Sequence, residues 1–207
     1  MNGRVFIRVV SLAEQGISCP QSKAMEDYVS KYTTARGFNI PRLLNDDFWV
    51  AIKLLVNAGC YVSASKLLMS FIDSISYVAY GESSGAAFRR WLENYVDIQS
   101  LGIGSDELWE HRNSLLHMTN LDSRKVSAGS VKRLVAFIGP LPNGAPREDA
   151  GEKFFDLLQL IRAVIHGCEK YLGALNSNPS LVGDFIKRYD MIVSDARYIQ
   201  FELEEGS

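Results

Sequence analysis

The sequence predicts an all-α protein: an antiparallel helical bundle with a small β element and a C-terminal helix. Three observations lead there. Apolar residues recur at i, i+3, i+4 spacing in successive stretches, the pattern of helices with one core-facing stripe. Short breaks marked by Gly, Asn and Ser separate these stretches, as expected of helices folded back on their neighbours. The composition, 47% hydrophobic and 22% charged, suits a chain that buries a full core.

Residues 4–10 are β-rich and short, a strand or an arm. Residues 20–40 are polar with scattered aromatics, and residues 25–33 fit one short helix. Pro41 precedes the main body, which divides the chain into an N-terminal arm or extension, 1–41, and a helical domain with a C-terminal helical extension, 42–207. Asn45 is a suitable cap for a first helix, and Asp46 and Asp47 suit its positive end. Ala58 and Gly59 mark its stop. Residues 61–80 form a second helix closed by Gly81, with Ala64, Leu67, Leu68, Phe71, Ile72 and Ile75 as its stripe. Asp73 and Ser76 lie beside that stripe. A third helix covers residues 84–97, with Phe88, Trp91, Leu92 and Tyr95 on one face. After Gly102 and Gly104, Ser105 is placed to cap a fourth helix whose first turn carries Asp106 and Glu107.

Beyond Asn120 the helical pattern lapses. Residues 130–138 alternate loosely and read as a strand or hairpin arm, and residues 141–147 as a proline-rich turn. Residues 148–175 read as one long amphipathic helix containing Phe154, Phe155, Leu157, Leu158, Ile161 and Val164. Asn178 and Pro179 start a last helix toward Val193.

The formal net charge of −2 argues against a protein that coats nucleic acid nonspecifically, while leaving room for a local basic site. Cys19, Cys60 and Cys168 are widely spaced and match no zinc pattern, which points to small core residues in a reducing, cytoplasmic compartment. No metal or cofactor fingerprint is present. No stretch has the uninterrupted apolar length of a membrane span; residues 48–80 contain Lys53, Asn57, Lys66 and Asp73.

The chemistry-bearing run is Leu108-Trp109-Glu110-His111-Arg112-Asn113-Ser114-Leu115-Leu116-His117-Met118. It sets an arginine, a polar residue and a histidine as R-N-x-x-x-H inside a helix-forming frame. Arginine is a permanent cation that grips phosphate through paired hydrogen bonds. Histidine takes and returns a proton near neutral pH. On an α-helix Arg112 and His117 project about 140° apart and sit about 7.5 Å apart along the axis. Arg112 then falls among leucines, where a guanidinium needs an anionic partner. Asp73 on the second helix is the candidate. In that structural reading His117 is a surface histidine near a helix end. In the functional reading Arg112 emerges at a cleft and reaches round to His117.

Arg112, Asn113 and His117 resemble the signature of the HEPN superfamily (higher eukaryotes and prokaryotes nucleotide-binding domains), an Arg, then a polar residue, then a His four to six residues on from the Arg. The resemblance covers residues 42–175 in architecture and only the short run in identity. It implies a metal-independent endoribonuclease that cleaves RNA through the 2′-hydroxyl, in a toxin, antiphage or stress role. His117 would handle the proton, Arg112 would stabilise phosphorane charge and Asn113 would orient a phosphate or His117. The partners implied are RNA or a nucleotide, a second copy in a homodimer whose two motifs face one groove, and an antitoxin protein. Arg89, Arg90, Lys132 and Arg133 are the candidate phosphate contacts beside the cleft. Arg162 and His166, a second Arg/His pair at i, i+4, do not match the signature and read as a surface pair. His111 points away from the motif and reads as solvated. Trp91, Trp109 and Tyr95 could stack bases, though their helical spacing favours the core. Two other readings stand beside this one: a noncatalytic HEPN-like binding or interaction module in which Arg112 is a structural ion pair, and a helical bundle unrelated to the family.

Overall fold

A computed structural model describes residues 6–10, 31–35, 37–118, 123–139, 148–178, 180–192 and 200–204. The expected short helix over 25–33, for the most part, and the proline-rich turn at 141–147 lie outside these residues, as does Cys19. The chain divides into two units. One comprises Met1–Phe38 with Asp190–Ser207, the other Asn39–Tyr189. The sequence reading placed its boundary at 41/42 and assigned every later residue to one domain; the structure divides the chain at 38/39 and again at 189/190.

In the first unit, β1 (Phe6–Val10) pairs antiparallel with a strand at the far end of the chain, Gln200–Glu204, with Phe6 opposite Glu204. A second antiparallel pair joins β2 (Thr33–Thr34) to β3 (Gly37–Phe38).

The second unit is mostly helical. Its first helix begins earlier than the Asn45 cap suggested. α1 (Ile40–Leu44) is capped by Asn39, whose side chain accepts from the Arg42 amide at 3.1 Å, and Pro41 lies in its first turn. A π-helical turn, Asn45–Trp49, joins it to α2 (Val50–Asn57). Gly59 closes this run at φ 73°. α3 (Tyr61–Tyr80) ends at Gly81, φ 75°, as the sequence predicts. α4 (Gly85–Tyr95) is capped by Ser84, which accepts from the Ala87 amide at 3.1 Å. α5 (Ser105–Asn113) passes directly into a second π-helical turn, Ser114–Met118. Its N-cap is Gly104, not Ser105: the Gly104 amide donates to Glu107 Oε2 at 2.7 Å. A short α6 (Arg124–Ser127) follows.

The expected strand is present as β4 (Arg133–Phe137), but its partner corrects two readings. It pairs in parallel with β5 (Glu152–Asp156), so it is no hairpin arm; parallel neighbours require a crossover connection. Residues 152–156 are therefore strand, and the long helix is shorter than its apolar pattern suggested. α7 (Leu157–Ser177) starts where the Asp156 side chain accepts from the amides of Leu158 and Gln159, at 2.8 and 3.2 Å. α8 (Ser180–Asp190) completes the unit.

The core lies where α3, α4 and α7 meet. Trp91, Phe71, Phe88 and Leu68 are fully enclosed. Phe71 takes Trp49 at 4.5 Å, Phe48 at 5.2 Å and the edge of Trp91 at 6.4 Å between ring centroids. α8 is tied on by Arg188, which donates to the Val78 and Ala79 carbonyls at the C-terminus of α3 (2.9 and 3.0 Å), and by Tyr189, which donates to Asp47 at 2.6 Å. Of the described cysteines, Cys168 is buried as expected, whereas Cys60, in the turn before α3, is exposed. No helix among the described residues is long and apolar enough to cross a membrane.

Two glycines of α7 separate packing from helix propensity. A methyl group on Gly167 would meet Val96 Cγ2 at 2.6 Å and the Tyr95 carbonyl oxygen at 3.0 Å, whereas one on Gly173 would meet nothing within 4 Å. Gly167→Ala is expected to lower stability by about 1–3 kcal/mol through overpacking. Gly173→Ala should raise it by a few tenths to about 1 kcal/mol. Urea unfolding of both variants checks the opposite signs.

Candidate functional site

The π turn after α5 decides the geometry of the motif. An α-helix would send Arg112 and His117 apart, but π-helical winding bonds i to i+5 and so brings residues five apart onto one face. Arg112 Nη1 lies 2.5 Å from His117 Nε2 and 3.1 Å from Asn113 Oδ1. The other edge of the guanidinium faces α3, where Nε donates to Asp73 Oδ2 at 2.6 Å and Nη2 donates to the same oxygen. The two sequence readings of Arg112 therefore coexist: it is paired with Asp73 and it reaches His117.

Arginine carries donors only, so its contact with His117 defines the histidine. Nε2 is the acceptor, and a neutral ring then holds its proton on Nδ1. The imidazole thus has its basic lone pair directed at a fixed cation, a place where a phosphate oxygen could substitute as acceptor. The Arg112 and Asp73 side chains are only 16% and 27% exposed, while His117 is open to solvent. Burial raises the Asp73 carboxyl above the usual carboxylate range, opposed by the hydrogen bond and charge of Arg112 and then by His117. Trp109 supports the guanidinium from below, its ring centroid 5.1 Å from Arg112 Cζ. Gly85 makes room for this indole: a methyl group there would lie 2.7 Å from Trp109 Cε2.

The neighbouring turn of α5 faces inward. His111, expected to be solvated, is buried, its ring edge-on to Phe155 at 5.4 Å. The reason is β5, which the long-helix reading had removed; it carries Phe155 against α5. Lys153 of the same strand pairs with Glu107 at 2.8 Å and fastens the start of α5. Burial lowers the His111 pKa to about 4, with a backbone hydrogen bond to Leu134 acting in the opposite sense. Glu110 is also buried and pairs with Lys125 at 3.4 Å.

The four cations proposed to contact RNA are each engaged. Arg89 pairs with Asp106 at 3.5 Å, and Arg90 lies over the Tyr80 ring at 4.3 Å. Lys132 pairs with Glu148 at 2.6 Å, and Arg133 with Glu152 at 3.0 Å. The structure thus brings Arg112, Asn113, His117 and Asp73 together, and sets Arg89 and Arg90 on α4 and Lys132 and Arg133 at the start of β4. Trp91 is core, Tyr95 stands edge-on to Tyr171 at 5.3 Å, and exposed His166 bonds Glu169 at 3.1 Å. Trp109 and His111 are the residues the motif reading undervalued; their signal was position, one turn or less from Arg112, but their surroundings come from α4 and β5.

Two measurements probe this site. Asp73→Asn removes the charge that holds a half-buried guanidinium and should cost about 1–3 kcal/mol, between exposed and fully buried pairs. For His111, the ring is neutral in both states above the unfolded pKa of 6.5. As pH falls from 6.5 toward about 4 the unfolded chain binds the proton first, so stability is lost, on the order of 3 kcal/mol across the window. Denaturant unfolding between pH 7 and 4 should show this loss in the wild type, and a shallower one in His111→Phe.

Comparison with known proteins gives no matching family model, no similar curated protein and no similar solved structure.

Proposed function

We propose that this protein is a metal-independent endoribonuclease of the HEPN type, with Arg112, Asn113 and His117 as its catalytic set and Asp73 as the residue that positions Arg112. The observation that carries the reading is the π turn, which sets Arg112 Nη1 2.5 Å from His117 Nε2 in a site open on the histidine side. In the reaction, the RNA 2′-oxygen attacks the adjacent phosphorus while His117 Nε2 accepts the 2′ proton. The bond from phosphorus to the 5′-oxygen breaks, and that oxygen leaves as a hydroxyl with a proton from solvent. The nonbridging oxygens, where negative charge accumulates, take the place of His117 Nε2 and Asn113 Oδ1 as acceptors of the Arg112 Nη1 donors, which Asp73 holds in place. The products are a 2′,3′-cyclic phosphate and a 5′-hydroxyl, and DNA is inert for want of the nucleophile. A homodimer, an antitoxin partner and a toxin or antiphage role belong to the same family-based reading, while the proposed cytoplasmic setting rests on the widely spaced cysteines.

A second reading has its own observation. Arg112 directs two donors at one Asp73 oxygen in a largely covered setting, the arrangement of a structural ion pair in a noncatalytic binding module.

Purified protein incubated with mixed RNA in EDTA separates the two. Cleavage leaving cyclic-phosphate ends, lost by at least about a hundredfold in His117→Ala with unchanged unfolding, is the nuclease outcome. Uncut RNA, with Arg112→Ala losing on the order of 3 kcal/mol of stability, is the outcome of the structural pair.

A further inference from the structure

A cleft of about 370 Å³ runs between α7 and α2 with the π turn before it, and none of its lining residues belongs to the motif. Trp49, Val50 and Val56 face it from one wall, and Leu158, Ile161 and Ile165 from the other. On each side these positions fall on one helical face, so each wall is an apolar stripe, and the stretch from Leu158 to Ile165 is about 10 Å long. Val50 and Ile165, on opposite walls, are 44% and 38% exposed. An elongated aliphatic chain matches a slot of this shape, whose volume falls within the range of small-molecule sites.

Two cations flank the slot, Lys53 from α2 and Arg162 from α7. Neither has an ion-pair or hydrogen-bond partner among the described residues, and no Asp or Glu lines the cleft. In this they differ from Arg89, Arg90, Lys132 and Arg133, which are all engaged. His166, one turn on from Arg162, bonds Glu169 at 3.1 Å and leaves the guanidinium to the cleft. Lysine and arginine lay their aliphatic stems along apolar surface and keep their charged heads in water. Both residues are exposed, so two positive groups from opposite walls stand at the mouth of one slot. An anionic head group there gains paired hydrogen bonds from the guanidinium and a further donor from the ammonium, and displaces no carboxylate. Asn45 and Asn57, the other polar lining residues, are neutral and leave that charge balance unchanged.

We infer that the cleft is a binding site for an amphiphilic carboxylate of the medium-chain fatty acid class, its chain between the two apolar stripes and its carboxylate between Lys53 and Arg162. The site is independent of the nuclease reading. Its two features act together: a short anion has no chain to bury, and an uncharged chain forgoes both cations. The volume suits one small molecule rather than a helix of a partner protein, because a stable protein interface covers about 800 Å² on each partner.

The chain has three tryptophans, and of these only Trp49 lines the cleft. Its indole N–H resonance is the one lost in Trp49→Phe. Octanoate should shift that resonance saturably and leave Trp109, beside the motif, unmoved; acetate should not compete. By calorimetry, Arg162→Gln and Lys53→Gln should each weaken octanoate binding about tenfold, the scale of one charge-assisted hydrogen bond, and leave the binding of octanol unchanged. Both substitutions are at exposed positions, so they test binding in a folded protein. Undiminished octanoate affinity in both variants, or an equal loss for octanoate and octanol, would overturn the proposal. So would a shift common to all three indoles, or competition by acetate at matching concentration, the mark of a bare ion site. A Trp49 response to an acidic amphipathic peptide with none to octanoate would assign the cleft to a protein partner instead.

Discussion

The site depends on how the Arg112 guanidinium distributes its donors. One edge is held by Asp73 from α3, and the other is shared between Asn113 and His117 from its own strand of chain. A largely covered cation must be neutralised or the fold loses stability, so the Asp73 contact is a structural requirement before it is anything else. Having been met, it fixes the rotamer of Arg112 and with it the direction in which the remaining donors point. The His117 contact then needs no further scaffold than the π turn.

The π turn is the second constraint. Such turns arise where one residue too many is fitted into a helix, and they recur at functional sites because they re-aim side chains without breaking the helix. Here the turn converts a spacing of five, which an α-helix would waste, into a shared face. Leu115 in the same turn looks the other way, into an apolar cavity over β4, so one local distortion serves two surfaces.

The flanks of α5 are held by unlike forces. Toward α3 the contact is ionic; toward β5 it is the aromatic packing of His111 on Phe155, with the Lys153–Glu107 pair at the helix start. Burying a neutral histidine makes this second contact sensitive to acid, whereas Asp73 titrates under the opposing influences of burial and Arg112. Trp109, held between Phe88 and Arg112 over the space left by Gly85, links the ionic side to α4.

Much of this was legible in the chain itself. Periodicity and glycine punctuation located α3 almost residue for residue, because a 20-residue apolar stripe ended by a left-handed glycine has few other solutions. The mostly helical class, the strand near residue 133 and the Arg112–Asp73 partnership also followed from residue chemistry, since a guanidinium among leucines demands a carboxylate. What local pattern left undecided was settled by contacts distant in sequence. Residues 152–156 carry neighbouring phenylalanines that fit a helix or a strand equally, and pairing with β4 selected the strand. That choice buried His111, which sequence placed in solvent. The helix start at Ile40 turned on Asn39 and Pro41, whose capping geometry outweighed the acidic signal at Asp46 and Asp47. The meeting of Arg112 with His117 turned on π winding, which has no propensity signature: residues 114–118 read as ordinary helix. Sequence therefore determined which reactive side chains the chain offers and at what spacing, because that is a property of the residues themselves. Tertiary structure decided which of them meet, because a change of winding or a strand pairing costs little locally and is fixed only by what packs against it.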